Sequence, residues 1–244
     1  MLPSIPPKHY SIPLDDFNYS SSVAASSVHI QLAFLRRVYG ILLLQLLLTA
    51  LVCILFLCFP IINTFLCTYP SIMAICPIIS MVLLFALFLN KQNFPANMYL
   101  FVGFTLLEAI NVAFFASFYN AYTVIQAAFM TIVAFTGLTV YTFQSTRNFS
   151  KLGAYLFSCL CVLCVGCILS MVFYNEILEI VLAAFGCFLF CGFIIYDTYS
   201  LMHRVSPEDY LEAVIHLYLD IIILFMDFLR ILGESKSESK SITV

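Results

Sequence analysis

The chain has 244 residues, of which 63% are hydrophobic and only 9% charged, with a mean hydropathy of +1.06 and a formal net charge of −3. About a quarter of an ordinary globular chain is charged, so this composition excludes a water-soluble domain and a basic nucleic-acid footprint. Apolar runs of about 20 residues match the length that crosses a hydrocarbon core of roughly 30 Å, and a single polytopic all-α membrane domain follows.

The first thirty residues, 1–30, are polar and proline-bearing (MLPSIPPKHYSIPLDDFNYSSS). They lack the basic and apolar regions of a cleaved signal peptide and read as a disordered tail. Seven helices are expected at 36–59, 71–90, 97–118, 121–143, 152–173, 177–200 and 211–232. They make one transmembrane domain over residues 31–232, followed by a short polar tail over 233–244. The connections are short, with Pro60 to Pro70 read as a loop, so no second domain fits. Pro77 is expected to kink the second helix or mark its first turn.

Basic residues orient such a bundle. Lys8, Arg36, Arg37, Lys91, Arg147, Lys151 and Arg204 share one face of a seven-crossing arrangement, whereas segments 60–70, 119–121 and 174–176 carry no Lys or Arg. The N-terminus is therefore expected in the cytosol. Arg230, Lys236 and Lys240 run against that pattern. Either the tail tolerates the far side, or the last segment enters and leaves on the cytosolic side.

Most of the ten cysteines sit inside apolar runs, where Cys acts as a small buried hydrophobe. Cys161 and Cys164 form a C-x-x-C within SCLCVLCVGCILS, with no histidine nearby, and packing is the expectation there. Cys67 and Cys76 lie near the lumenal side without further sign of a disulfide.

The acids carry the chemistry. Asp197 lies in CGFIIYDTYSL and Asp220 in HLYLDIIILFMDFLRIL. A carboxylate near the centre of a spanning helix costs about 2.5–3.5 kcal/mol on insertion scales, so it needs a partner or a polar path. His216, Asp220 and Asp227 are spaced by four and seven residues, which returns them to one helix face. That stripe belongs inside the bundle. The short connection makes the last two helices antiparallel neighbours, with Asp197 and Asp220 facing each other. Two close carboxylates do not both ionise easily, so they share a proton. Their oxygens also suit Ca²⁺, so calcium held transiently there competes with protons. Glu108 in FTLLEAINVAFF, with Asn111 almost one turn on, is a further candidate for the ion path. Each of these acids also has a structural reading, as a carboxyl bonded to a Ser or Tyr of a neighbouring helix.

No H-x-x-x-H, H-E-x-x-H or G-x-S-x-G occurs, and the four histidines are His9, His29, His203 and His216. An enzyme needs a ligand set or a nucleophile–base pair, so neither catalysis nor a cofactor is expected. No inverted repeat of the kind transporters use is visible.

FIIYDTYSLMHRVSPEDY followed by LYLDIIILF resembles the C-terminal signature of the transmembrane Bax inhibitor motif family. The resemblance continues in RRVYGILLLQLLLTA, FTLLEA and GLTVYTFQSTRNFSKLGAYLF, and covers nearly all of 30–232. It is nearest the lifeguard branch of the Golgi anti-apoptotic type. The resemblance implies seven helices with the last one central and six around it. It further implies a calcium leak channel of Golgi or endoplasmic reticulum membranes that restrains apoptosis. Asp197 in YDT and Asp220 in LYLD would then be its pH-sensitive pair, with Lys91 or Arg204 as a cationic latch. Ile223 replaces an expected Asn, Asp227 an expected His, and His216 an expected small polar residue. The contrasting reading is a scaffold that does not transport. It would act through Bcl-2-type proteins or calcium-release receptors.

Asn18 and Asn148 each open an N-x-S acceptor sequence, and both fall on the expected cytosolic side. Neither is expected to carry a glycan. A glycosidase-sensitive mass shift that disappears in Asn148→Gln would overturn this orientation.

Overall fold

The computed structural model describes the backbone of residues 28–68, 70–90, 93–173, 176–205 and 209–242, and the side chains of these except 28–30, 60, 63, 65, 67, 70, 72, 73, 176 and 234–242. Residues 1–27 of the expected N-terminal tail, Asn18 among them, and Lys91 lie outside the described residues, as do the side chains of the expected C-terminal tail beyond Gly233, while 28–30, expected as tail, open the first helix. The described residues form helices and no strands. These are α1 (Val28–Cys58), α2 (Pro60–Thr68), α3 (Pro70–Leu89), α4 (Ala96–Ala116), α5 (Ala121–Gln144), α6 (Leu152–Val172), α7 (Glu176–His203) and α8 (Tyr210–Ile242).

Seven long helices fall where the apolar runs place them, and the differences lie at the ends. The segment read as a loop from Pro60 to Pro70 is mostly α2. Pro60 and Pro70 are the first residues of α2 and α3, where a missing N–H removes no helical bond. Prolines that look like loop boundaries in sequence are helix starts here. α1 begins eight residues earlier than expected because VHIQLAFL continues its apolar run. α8 continues past Leu232 to Ile242, since Glu and Lys are good helix formers. Pro77 lies inside α3, and Ser80 Oγ lies 3.0 Å from its carbonyl oxygen.

Connections gather at two ends. The Arg37 guanidinium lies 3.8 Å from the centre of the Tyr210 ring, joining α1 to the start of α8. Arg204 donates to Ser150, and Tyr199 donates to Asn148 at 2.9 Å, so segment 145–151 meets the α7–α8 connection. Leu87, Asn97 and Asp209 line one small cleft, placing the α3–α4 connection there too. Arg36, Arg37, Arg147, Lys151 and Arg204 thus share one end. At the other end, Gly233 of α8 packs on Tyr119, between α4 and α5, so closely that a Cβ there would overlap the ring. α8 is one uninterrupted helix from the basic end to the opposite end. A last segment that enters and leaves on one side would need a break in this helix, and it has none.

α8 is central. Val214, Ile215, Leu217, Tyr218, Leu224 and Leu229 are wholly buried. α1, α4, α5 and α7 pack directly on it, while α3 packs mainly on α4 and α6 on α7. The expected ring of six neighbours is therefore two-layered. The outer faces are apolar, as in Leu44, Met81, Ile125 and Phe188. Among the described residues, five helices are long and apolar enough to cross a membrane: α1, α4, α5, α6 and α7. α8 carries Asp220, Asp227 and Arg230 and sits inside the others. The chain is a polytopic α-helical integral membrane protein. Cys161 and Cys164 correct the packing expectation, because both are free thiols on the exposed side of α6. Cys76 is also free, and the Cys67 side chain is outside the described residues.

Between helices in lipid, packing supplies the stability that burial from water supplies elsewhere. Leu224→Ala should cost about 2–5 kcal/mol through the cavity it leaves, whereas Leu44→Ala on the outer face should change little. Thermal unfolding of the two variants in one detergent or nanodisc preparation checks the difference.

Candidate functional site

α7 and α8 pack along much of their length, and this brings the candidate residues together. Asp197 and Asp220 are neighbours across this contact, close enough for their carboxyls to interact. Asp220 is 6% exposed, and its Oδ2 has no hydrogen-bond partner among the described residues. His216 lies one turn before Asp220 on α8, with its Nδ1 3.9 Å from Asp197 Oδ2. The His216 side chain is 46% exposed and that of Asp197 13%. The three groups form a file from an exposed imidazole, through a largely buried carboxyl, to a buried one. The Phe88 ring of α3 flanks His216, with centroids 6.1 Å apart. Such a file can pass a proton inward and can offer a cation two carboxylates at depth.

Asp227 lies two turns further along the same face of α8. It is buried, and its Oδ2 also has no hydrogen-bond partner among the described residues. It faces Gly186 on α7, where a Cβ would meet Asp227 Oδ2. Arg230 and Cys187 are its charged and titratable neighbours. The helical spacing anticipates Asp227 in the stripe. The glycine that makes room for it is a tertiary feature.

Glu108 is not part of this file. It projects from α4 towards α3, where Ser80 Oγ donates to its Oε1 at 3.1 Å and Asn111 Nδ2 to its Oε2 at 3.3 Å. Beside it, the fully buried Tyr218 hydroxyl lies 2.9 Å from Thr49 Oγ, and Gln45 donates to Thr105 at 2.7 Å. The sequence reading missed Ser80, Thr49, Gln45 and Tyr218. Their signal was polar side chains inside apolar runs, which without a fold have no evident partner.

The latch residues fare differently. Arg204 donates to the Tyr196 hydroxyl at 3.0 Å and to Ser150 Oγ at 2.6 Å, so it ties a connection, and among the described residues it holds neither Asp197 nor Asp220. His203 stacks on Tyr199 in the same cluster. Among the described residues, the basic group beside the pair is the imidazole of His216. Ile223, where the resemblance expects Asn, packs among apolar residues of α6 and α7 and offers the file no ligand.

Gly186→Ala should force Asp227 or the α7–α8 contact to shift, at about 1–3 kcal/mol as for other overpacked sites. Gly40→Ala, whose added methyl meets nothing, serves as the control. Melting temperatures of the two variants check this.

Residues 31–237 match the family model described as Inhibitor of apoptosis-promoting Bax1. Protein lifeguard 4 of Mus musculus is 52% identical over 218 residues, covering 89% of this chain and 92% of that protein. The Golgi anti-apoptotic protein of vaccinia virus (strain Lister) is 50% identical over 224 residues, covering 92% and 94%. Bax inhibitor 1 of Schizosaccharomyces pombe is 35% identical over 221 residues, covering 90% and 83%. The match runs from the first helix through the aspartate-bearing last one, and the chain belongs to the Bax inhibitor family, in its lifeguard group.

Proposed function

We propose that this chain is an anti-apoptotic protein of Golgi or endoplasmic reticulum membranes that lets stored calcium leak through its bundle under the control of pH. The observation that carries this reading is the meeting of Asp197 and Asp220 between α7 and α8, with His216 at its exposed flank. The Golgi and anti-apoptotic parts come from the names of similar proteins. The basic end of the bundle faces the cytosol by the positive-inside rule, which puts the N-terminus there.

In the closed bundle the paired acids share a proton and bind α7 to α8. His216 stands between the exposed end and Asp197, and it relays protons between them. A change in protonation alters the repulsion within the pair and biases the two helices between closed and open spacings. In the open spacing the carboxylates are oxygen ligands for a passing cation. Two carboxylates are far fewer than the roughly six to eight oxygens that Ca²⁺ takes. The ion keeps most of its water and leaves as readily as it enters. No catalytic step is assigned.

The test is calcium entry into dye-loaded liposomes holding the purified protein, from about pH 6 to pH 8, the range in which imidazole titrates. Wild type should show flux that varies with pH. Asp197→Asn and Asp220→Asn should bring the ratio of flux across that range close to one, and His216→Gln should alter its midpoint. Folded protein with no flux above protein-free liposomes would replace the leak with a scaffold acting through Bcl-2-type proteins or calcium-release receptors.

A further inference from the structure

A cavity of about 330 Å³ lies between α3, α4 and α8. α8 lends it only Ile222 and Met226, which lie about 200° and 240° around the helix from Asp220. The cavity therefore opens on the side of α8 away from the aspartate file. Its polar groups are Ser80, Glu108 and Asn111, and both Ser80 and Asn111 are buried. The Phe104 and Phe115 rings form part of its wall. Met81, 73% exposed on the outer face of α3, and Phe115, 46% exposed, stand at its lipid side.

Both oxygens of Glu108 accept hydrogen bonds, and both donors are neutral. Among the described residues no Lys, Arg or His lines the cavity. A carboxylate within a membrane span calls for a positive partner, and none of the lining side chains supplies one. A metal ion fits poorly, because the lining side-chain oxygens are those of one carboxylate, one amide and one hydroxyl, against the roughly six to eight that Ca²⁺ takes. An ammonium group suits the site better. It brings three donors to a carboxylate with lone pairs to spare, and aromatic faces attract it within about 6 Å. The apolar walls take an apolar body, and flexible Met81 and Met226 adapt to its shape. The volume is at the small end of ligand sites, which run from about 300 to 1,000 Å³.

We propose that this cavity binds a membrane-soluble organic cation, a protonated amine on an apolar body, entering from the lipid past Met81 with Glu108 as its counter-charge. The site is independent of the leak and of the aspartate pair.

The test uses the full chain in nanodiscs with dodecylamine as probe and dodecanol and dodecanoate as controls of equal tail length. Dodecylamine should bind saturably and raise the melting temperature, and the controls should not. Glu108→Gln should weaken dodecylamine binding about tenfold or more, equivalent to about 1.4 kcal/mol. Met81→Trp should abolish it by filling the mouth while leaving the Glu108 hydrogen bonds in place, so a folding defect in the first variant does not decide the matter. Equal binding of dodecanol, or amine binding unchanged in both variants, overturns the proposal. So does stabilisation by calcium chloride alone that Glu108→Gln removes, with no amine binding.

Discussion

A carboxylate cannot face hydrocarbon without a partner, and the architecture of this bundle depends on that constraint. α8 carries Asp220 and Asp227 along one stripe, and each would cost several kcal/mol against lipid. The helix that bears them is wrapped by α1, α4, α5 and α7. α3 and α6, whose outer surfaces are almost wholly apolar, form the lipid-facing layer and bear no acid in their described residues. Apolar residues face outward and charge faces inward, the reverse of a soluble protein.

Polar groups inside the bundle separate onto two sides of α8. One side meets α7, where Asp197, Asp220 and His216 form the file and Gly186 leaves space for Asp227. The other side meets α1, α3 and α4, where Tyr218 pairs with Thr49 and Glu108 is held by Ser80 and Asn111. Tyr218 and Asp220 are two residues apart, hence nearly opposite on the helix, and one helix serves both sets. Arg230 lies beside Asp227 on α8, and two other arginines sit at the basic end. Arg37 lies over Tyr210, and Arg204 ties the α5–α6 connection to α7. Both arginines stabilise connections while their charged heads stay clear of the apolar middle.

Much of this was legible in the residues. Run lengths gave the long helices, because the bilayer fixes how many apolar residues a crossing needs. The four- and seven-residue steps from His216 to Asp220 to Asp227 gave the stripe, because a helix repeats every 3.6 residues. The short link from α7 to α8 gave the meeting of Asp197 with Asp220. The nine-residue α2 was not legible, since proline reads equally as a loop residue and as a first helical residue.

By itself, then, the sequence determined the class, the helices, the basic end and the acids that had to be inside. Those follow from local periodicity and from the cost of charge in lipid, which need no knowledge of neighbours. Beyond the pair of Asp197 and Asp220, only the tertiary structure decided which acid met which partner. It put His216 beside Asp197, Glu108 against Ser80 away from the aspartate pair, and Arg204 on Ser150. Such pairings depend on the rotation of each helix about its axis. Side chains far apart in the chain set that rotation by packing together, and the spacing within any one helix does not contain it.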